Sequence, residues 1–309
     1  MIIGKAIYAG GAGGMKPEIT VTAEAGSTLT CGTKTYILGA SETTHTFTVA
    51  LGTYIVTATK GSDSATKTVL VDMVAQYDVS LAYGTPLADF AVGSIVKMQV
   101  NGSLKNFIVV HQGNPNSSIY STTYNGGTIL LMQDIYENRA WHSSNDNDYA
   151  NSTIHSYLNG TFLARFDANI RSVIKQVKAP YRPYSGTNKT CNTGENGLSA
   201  KIFLLSGAEV GFTSSDTSSK LPTNEGAKLS YFESGTETSA KNKRIAYLGG
   251  SATEWWLRSP NCYNNSYNAA MVWTDGVWFN SNCSNSHGVR PALVLPDTTL
   301  VDDDGMITV

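Results

Sequence analysis

Short alternating runs of apolar and polar residues fill the N-terminal part of the chain. From Pro17 to Leu81, β-branched or aromatic residues recur at every second position, and glycines separate the runs. A period of two is typical of strands that bury one face, whereas a helix places apolar residues three and four positions apart. The predicted strands are Ile19–Ala23, Thr35–Leu38, Thr46–Val49, Tyr54–Ala58, Lys67–Val71 and Tyr77–Leu81. Residues 17–84 are therefore interpreted as a small antiparallel sandwich of immunoglobulin-like (Ig-like) pattern, a module that commonly serves as a spacer.

The pattern changes after about residue 84, where strand periods alternate with helical ones. Strands are predicted at Val92–Val100, Asn106–His111 and Thr128–Met132, with a turn at Asn101-Gly102. Apolar residues spaced three and four apart predict helices, and these are one from about Ser152 that buries Ile154, Leu158 and Phe162, one from Asp167 to Pro180 that buries Ile170, Val173, Ile174 and Val177, and a short one at Ser206–Phe212. Long polar loops are predicted at 185–200 and 213–228. Residues 85–309 thus read as an α+β domain.

Two apolar segments near the C-terminus enclose a polar and aromatic one. Trp255–Pro260 and Gly288–Pro296 each combine apolar residues with one arginine and with proline, which is typical of a buried framework. Arg258 and Arg290 are predicted to be structural and to bind a carboxylate or a carbonyl oxygen. The stretch between these segments is rich in Asn, Ser, Tyr and Trp, as binding loops are, and its aromatic content argues against disorder. Its Thr274-Asp275-Gly276 predicts a hairpin turn.

This arrangement resembles the variable proteins of diversity-generating retroelements, particularly those of phages and prophages of gut bacteria. The resemblance covers roughly Ala91 to Pro296, and the matching segments are Trp255–Pro260, Asp275-Gly276, Gly288–Leu293, Phe107–His111, Gly113–Pro115, Ile129–Leu131, Asp134–Tyr136 and Tyr157–Asn159. It implies a C-type lectin-like fold, shared with formylglycine-generating enzymes, in residues 85–309. It also implies that an error-prone reverse transcriptase, acting at template adenines, diversifies residues within about 255–296.

The residue types of that segment agree with the implied mechanism. Changing the first two bases of an AAC or AAT codon yields Asn, Tyr, Ser, His, Cys and Phe, but no Lys, Glu or Gln, and the segment between the framework stretches lacks those three. The residues predicted to be displayed are Asn261, Tyr263, Asn264, Asn265, Tyr267, Asn268, Asn280, Asn282, Ser284, Ser286 and His287. A second set of ligand-binding candidates is Met271, Trp273, Trp278 and Phe279, of which the Trp and Met residues cannot arise from such a codon and either tryptophan can equally be a core residue.

Composition and charge exclude several functions. The net charge is -2 and the charged fraction is 15%, so no basic field favours nucleic acid or an anionic membrane, and the run Lys241–Arg244 is interpreted as a solvated loop. The glycine-rich lead, residues 1–16, is interpreted as a flexible linker or an assembly strand, with neither a signal peptide nor a membrane span expected. The four cysteines form no metal motif and are expected to be free, with Cys262–Cys283 as the bridge to test.

Catalytic and metal-binding motifs are not found in the sequence. The five histidines have no metal-ligand spacing, and Asn145–Asp148, although rich in oxygen atoms, lacks the glycine and the distal glutamate of a calcium loop. The expectation is a non-enzymatic protein without a cofactor or metal. Its expected partners are a bacterial surface protein or glycan and, through the N-terminal region, phage tail proteins, and its expected location is the virion. The alternatives are a lectin-fold oxidase or formylglycine-generating-like enzyme, and a carbohydrate-binding adhesin of fixed sequence. The oligomeric state is left open.

Overall fold

A computed structural model of the chain describes residues 4–7, 16–61, 63–81, 83–233, 237–263, 266–302 and 304–308. The chain divides into two compact units, Met1–Thr85 with Thr308 and Pro86–Ile307 with Val309, and both are built mainly from β-strands. Within the described residues, none of the helices is long and apolar enough to cross a bilayer.

The strands are β1 Gly4–Ile7, β2 Glu18–Thr22, β3 Thr28–Cys31, β4 Lys34–Ile37, β5 Thr44–Thr48, β6 Gly52–Lys60, β7 Asp63–Val71, β8 Ala75–Ser80, β9 Thr85–Pro86, β10 Ile95–Val100, β11 Ser103–Gln112, β12 Gly127–Met132, β13 Glu137–Ala140, β14 Val177–Ala179, β15 Leu198–Ala200, β16 Ile202–Phe203, β17 Tyr247–Leu248, β18 Ser251–Ala252, β19 Trp255–Pro260, β20 Asn268–Val272, β21 Trp278–Asn282, β22 Ser286–Val289, β23 Ala292–Pro296, β24 Leu300–Val301 and β25 Ile307–Thr308. The α-helices are α1 Thr153–Tyr157, α2 Ala168–Val173, α3 Ser230–Glu233 and α4 Glu237–Arg244.

The first unit holds two four-stranded sheets, ordered β1-β8-β2-β5 and β4-β3-β6-β7. Alternate residues of both sheets, such as Ile19, Leu29 and Val56, are buried in one shared apolar core. The predicted strands are confirmed, and β3 was missed. The antiparallel prediction is wrong for one pair, because β2 runs parallel to β8. Gly4–Ile7 pair with β8, so this part of the lead is a strand and no linker, while residues 1–3 and 8–15 lie outside the described residues.

The second unit is organised around two five-stranded sheets, ordered β10-β11-β12-β23-β16 and β13-β22-β19-β20-β21. Successive residues of their central strands enter two different cores. Leu130 and Met271 lie in one core, whereas their chain neighbours Leu131 and Val272 lie in the other. Because both faces of a central strand are covered, such strands read as continuous apolar runs in the sequence.

The predicted elements of this unit are confirmed in part. The β10–β11 hairpin turns at Asn101 and Gly102, which both adopt positive φ, and α1 is capped by the Ser152 hydroxyl, which accepts a hydrogen bond from the His155 backbone N–H. The helix from Asp167 is shorter than predicted. It ends at Val173, and Val177 then starts β14, which pairs with β15. Val177 and Ala179 are buried at a strand spacing, and this pairing overrides the helical period.

Two further predictions are wrong in the same unit. Ser206–Phe212 forms hydrogen-bonded turns in place of a helix. Lys241–Arg244 belongs to α4 and is not a loop, and Arg244 is buried there, where its guanidinium donates to the carbonyl oxygens of Gly276 and Val210 at 2.8 and 3.1 Å. The sequence alone predicts a solvated run, because it does not show that these distant carbonyl oxygens accept hydrogen bonds from Arg244.

Candidate functional site

The framework under the candidate site is strand β19, whose six residues are all buried. The indole N–H groups of Trp255 and Trp256 donate to the carbonyl oxygens of Arg244 and Arg139 at 2.9 and 2.8 Å. Burial of each such side chain contributes about 1.5–3 kcal/mol, and the satisfied indole avoids the cost of an unpaired donor. Trp255 and Trp256 therefore anchor the sheet and are not available to a ligand.

Arg258 and Arg290 are structural, as predicted. Arg258 donates to Glu209 Oε1 at 2.8 Å and to the Leu204 carbonyl at 2.6 Å, and both side chains of this ion pair are almost fully buried. Arg290 donates to the carbonyl oxygens of Met132 and Gln133, each at 2.9 Å. Burial lowers the pKa of Arg290 to about 10, because removal from water disfavours the charged guanidinium.

A second buried carboxylate completes the framework. Glu225 Oε2 accepts a hydrogen bond from the Ser259 hydroxyl, and the Glu225 carbonyl accepts from Arg258 at 3.0 Å. Burial raises the pKa of the Glu225 carboxyl to about 7, and the nearby Arg258 limits that rise. The framework therefore contains one acid that binds a proton near neutral pH.

The displayed part of the site is the hairpin of β20 and β21. The Trp273 N–H donates to the Val277 carbonyl at 2.8 Å and the Gly276 N–H to the Trp273 carbonyl at 2.9 Å, so the predicted Thr274-Asp275-Gly276 turn is confirmed. Gly276 has a φ of +82°, and a Cβ there would lie 2.1 Å from the Lys241 carbonyl oxygen. Only glycine permits this turn to pack against α4.

The hairpin register gives β21 two different faces. Met271 lies opposite Phe279 and Val272 opposite Trp278. Trp273 and Phe279 form an exposed aromatic pair whose ring centroids lie 5.0 Å apart. On the other face the Lys220 ammonium lies 5.3 Å from the Tyr263 ring centroid and 5.5 Å from that of Trp278. Because β21 is the edge of its sheet, the aromatic groups of both faces reach the surface.

The predicted site residues separate by exposure. Those at the surface are Tyr263, Tyr267, Trp273, Phe279, Asn282, Ser284 and Ser286. Those partly buried are Asn268, Trp278, Asn280 and His287. Asn264 and Asn265 lie outside the described residues. The largest exposed fraction among the aromatic side chains of this set is 54%, at Tyr263.

Two of the predicted residues are corrected, because the structure buries them. Met271 is 0% exposed, since β20 lies between β19 and β21 and its side chain enters the core beside Trp256. Asn261 is 4% exposed, and its side-chain oxygen accepts a hydrogen bond from the Tyr263 N–H at 2.9 Å. Asn261 therefore shapes the loop from within, and neither residue is displayed to a ligand.

Asn147 is a residue that the sequence interpretation missed. Its buried amide donates to the carbonyl oxygens of Asn261 and Asn268 at 3.1 and 3.3 Å, and its side-chain oxygen accepts from Arg182 at 2.7 Å. Its backbone N–H donates to the Ser266 carbonyl at 2.8 Å. Asn147 thus holds both ends of the loop that carries Tyr263 and Tyr267.

The oxygen-rich segment around Asn147 is used for turns. Asp146 Oδ1 accepts from the Asp148 N–H at 3.0 Å, and Asp148 Oδ1 accepts from the Ala150 N–H at 3.1 Å. Across the part of the chain that the structure describes, no group of three or more His, Cys, Asp or Glu side chains is arranged for a metal ion.

The cysteines are free thiols in the structure. Cys262 Sγ donates to the Asn188 carbonyl at 3.3 Å, and Cys262 and Cys283 are not joined. Burial raises the thiol pKa of Cys262 to about 11 and that of Cys283 to about 12. Both groups are therefore protonated at neutral pH, a state in which a thiol is a poor nucleophile and a poor metal ligand.

The last feature of the site is a set of polar contacts that joins β21, β22 and the turn between them to one another and to Asn145 and Glu254. Ser284 Oγ donates to Asn145 Oδ1 at 2.7 Å. His287 Nε2 lies 3.0 Å from Ser281 Oγ, and His287 Nδ1 lies 3.2 Å from Glu254 Oε1. Asn285 Nδ2 donates to the same Ser281 hydroxyl at 2.9 Å. Ser281, Glu254 and Asn285 were not among the predicted site residues, and no spacing rule in the sequence points to them.

The framework and the hairpin both fall within the range of one family model. Residues 125–297, which are more than half of the chain, match the model described as a domain of unknown function, DUF6273. No curated protein matches the chain. The matched range begins just before β12 and ends just after β23, so it contains the buried arginines, Asn147 and the whole β20–β21 hairpin. On this match, the chain belongs to the DUF6273 family.

Proposed function

We propose that this chain is a receptor-binding protein, of a phage or prophage tail, that binds a bacterial surface ligand through the β20–β21 hairpin and the adjoining loops. In this proposal the first unit is an Ig-like spacer, attached to tail proteins through its N-terminal region, and the second is a C-type lectin-like domain. Binding, and not catalysis, is its principal activity.

The observation that carries the proposal is a displayed polar and aromatic surface on a buried, hydrogen-bonded framework. Trp273, Phe279 and Tyr263 are 39%, 49% and 54% exposed, although aromatic side chains of this size are usually buried. The side chains of Asn282, Ser284 and Ser286, on the same hairpin, the turn after it and the start of β22, are exposed as well. Rigid aromatic groups supply contact area with little loss of side-chain entropy, and amides and hydroxyls adapt their hydrogen bonds to the ligand.

Two features of the site bear on the alternatives. An oxidase of the formylglycine-generating type would need reactive thiols, whereas burial raises the pKa of both Cys262 and Cys283. An adhesin of fixed sequence would use the same surface, and stacking of a sugar ring on Trp273 is compatible with it.

Diversification of the coding sequence separates a diversified receptor-binding protein from an adhesin of fixed sequence, and it is visible in the DNA. We expect a near-copy of the segment that encodes residues 255–296, differing mainly at adenines, beside a reverse transcriptase gene.

Binding itself is tested with intact bacterial cells of single strains, titrated with fluorescently labelled full-length chain in a flow cytometer. For a strain that binds, the double variant Trp273→Ala/Phe279→Ala is expected to raise the half-saturating concentration by about 10-fold or more, because central aromatic residues dominate binding energy. Leu104→Ser is the matched control, since Leu104 is a comparably exposed apolar residue on β11, 48% exposed and outside the hairpin. Equal loss in both variants, or no loss in the double variant, would contradict the proposed surface.

A further inference from the structure

A continuous chain of hydrogen bonds links Glu254, His287 and Ser281 on the candidate binding surface. The distances are 3.2 Å from Glu254 Oε1 to His287 Nδ1 and 3.0 Å from His287 Nε2 to Ser281 Oγ. A carboxylate only accepts hydrogen bonds, so the tautomer of the neutral imidazole that fits this geometry carries its proton on Nδ1. Nε2 is then an acceptor, and the Ser281 hydroxyl must donate to it.

The imidazole is held in this orientation by its surroundings. Its ring meets the Trp256 ring edge-on, with centroids 4.7 Å apart and an angle of 80° between the planes. Gly288 allows β22 to lie close to the start of β19. Its N–H donates to the Glu254 carbonyl at 3.0 Å, and a Cβ at this position would lie only 2.7 Å from that oxygen. The side chains of His287 and Glu254 are 14% and 28% exposed, so both are shielded but reachable.

The Ser281 hydroxyl is oriented by a second polar group and lies beside apolar ones. The Asn285 amide donates to Ser281 Oγ at 2.9 Å and so orients the hydroxyl oxygen. Phe279, two residues earlier on β21, shares the face of Ser281 and packs on Trp273. These exposed rings offer an apolar surface for the acyl group beside the hydroxyl.

We infer that Ser281, His287 and Glu254 form a nucleophilic site that hydrolyses esters with an apolar acyl group. A serine within hydrogen-bond reach of a base that is itself oriented by a carboxylate is the arrangement required for covalent acyl transfer. Ser281 and His287 are the catalytic residues, and Glu254 and Asn285 are positioning residues. This inference goes beyond the proposed function, because it adds a reaction to a surface proposed for binding. It requires Ser281 and His287 to be fixed, so it is compatible with diversification only at other positions of residues 255–296.

The reaction uses only the ester and water. Ser281 Oγ forms a bond to the carbonyl carbon while its proton passes to His287 Nε2, and the carbon–alkoxy bond breaks as that proton reaches the leaving alcohol. Water then attacks the acyl-serine, gives one proton to Nε2, and releases the carboxylic acid as the proton returns to Ser281. The products are one acid and one alcohol, and nothing is oxidised or reduced.

The inference is tested on the full-length chain with a biotinylated fluorophosphonate and with p-nitrophenyl butyrate. Mass spectrometry is expected to find the phosphonyl group on Ser281, and Ser281→Ala to abolish both the adduct and the hydrolysis. His287→Gln is expected to slow hydrolysis by about 10²- to 10⁴-fold, the usual contribution of a general base. Asn285→Ala, which removes the hydrogen bond that orients the Ser281 hydroxyl, is expected to lower kcat by about 10-fold with little change in KM. Ser103→Ala, an exposed serine on β11, is the control and keeps both activities.

Glu254→Gln separates positioning from folding. It is expected to lower kcat with little change in KM or in the melting curve, and Glu254→Asp to restore part of the rate. If His287→Gln fails to fold, Glu254→Gln tests the role of the imidazole instead. A lower kcat with an unchanged KM and melting curve would show that the orientation of the imidazole matters for hydrolysis. Absence of an adduct at Ser281, or wild-type rates in the folded variants, would overturn the inference. Absence of cell binding by the wild-type chain, with the adduct at Ser281 present, would contradict only the proposed function. Cell binding by a wild-type chain that forms no adduct would contradict only this inference.

Discussion

Strands β19 and β21 lie in the same sheet and are separated only by β20, yet their side chains differ in burial. Both strands contain tryptophan, and both pair with β20. All six residues of β19 are buried, whereas none of the five residues of β21 is. The difference follows from position: β19 has a neighbouring strand on each side and a core on each face, while β21 ends the sheet. Aromatic residues thus build a framework on one strand and a display surface on the other.

The largest effect is expected where the framework carries a buried charge. Arg258→Met leaves Glu209 buried without its cation, and breaking a buried pair in this way costs about 3–5 kcal/mol. Urea denaturation measures this loss. Asn282→Ala, at an exposed position of β21, is the control and is expected to change the free energy of unfolding by about 0.5 kcal/mol or less. Similar values for the two variants would mean that burial does not distinguish the strands.

The cross-strand pair Met271 and Phe279 compares the two environments directly. Met271 is 0% exposed and Phe279 is 49% exposed, although they face each other in the register. Met271→Ala is expected to cost about 2–5 kcal/mol, because it removes buried contacts and leaves a cavity. Phe279→Ala is expected to cost about 1 kcal/mol or less, the range of a cross-strand pair. Thermal unfolding of both variants gives the ranking, and a larger loss for Phe279→Ala would contradict it.

The pH dependence of stability should come from the framework, because β21 contains no ionisable side chain. Burial raises the pKa of Glu225 from 4.5 to about 7, so the folded chain holds this proton after the unfolded chain has released it. Stability from this group is therefore complete below pH 4.5 and declines as pH rises to about 7, by about 3 kcal/mol in total. Glu225→Gln is expected to remove that decline. Denaturation of both proteins between pH 4 and 8 tests it, and equal slopes would refute the assignment.

The smallest expected effect concerns two glycines in hairpin turns. Gly276 and Gly102 have φ values of +82° and +69°, but only Gly276 is close to other backbone, at 2.1 Å from the Lys241 carbonyl oxygen, whereas Gly102 has open space. Both Gly→Ala changes incur strain at positive φ. Gly276→Ala is expected to cost about 1–3 kcal/mol more than Gly102→Ala, because α4 or the turn must move. Equal melting temperatures would show that the turn does not depend on α4.

Local pattern was a good guide to the elements and a poor guide to their surroundings. The strands of the first unit, the β10–β11 hairpin and the Asp275-Gly276 turn were predicted because period and turn chemistry are encoded in neighbouring residues. The helix after Asp167 was predicted too long, because Val177 fits a helical period and a strand equally well. Val177–Ala179 form a strand because they pair with Leu198–Ala200, and a local pattern contains no information about that partner.

The sequence by itself determined that Trp255–Pro260 and Gly288–Pro296 form a framework, that Arg258 and Arg290 are structural, and that a polar, aromatic hairpin lies between them. The tertiary structure alone decided that Met271 and Asn261 are buried, that Asn147 holds the loop, and that Glu254, His287 and Ser281 meet. The physical reason is distance along the chain. Asn147 and Asn261 are 114 residues apart and Glu254 and His287 are 33 apart, so only the tertiary fold brings these groups within hydrogen-bond distance.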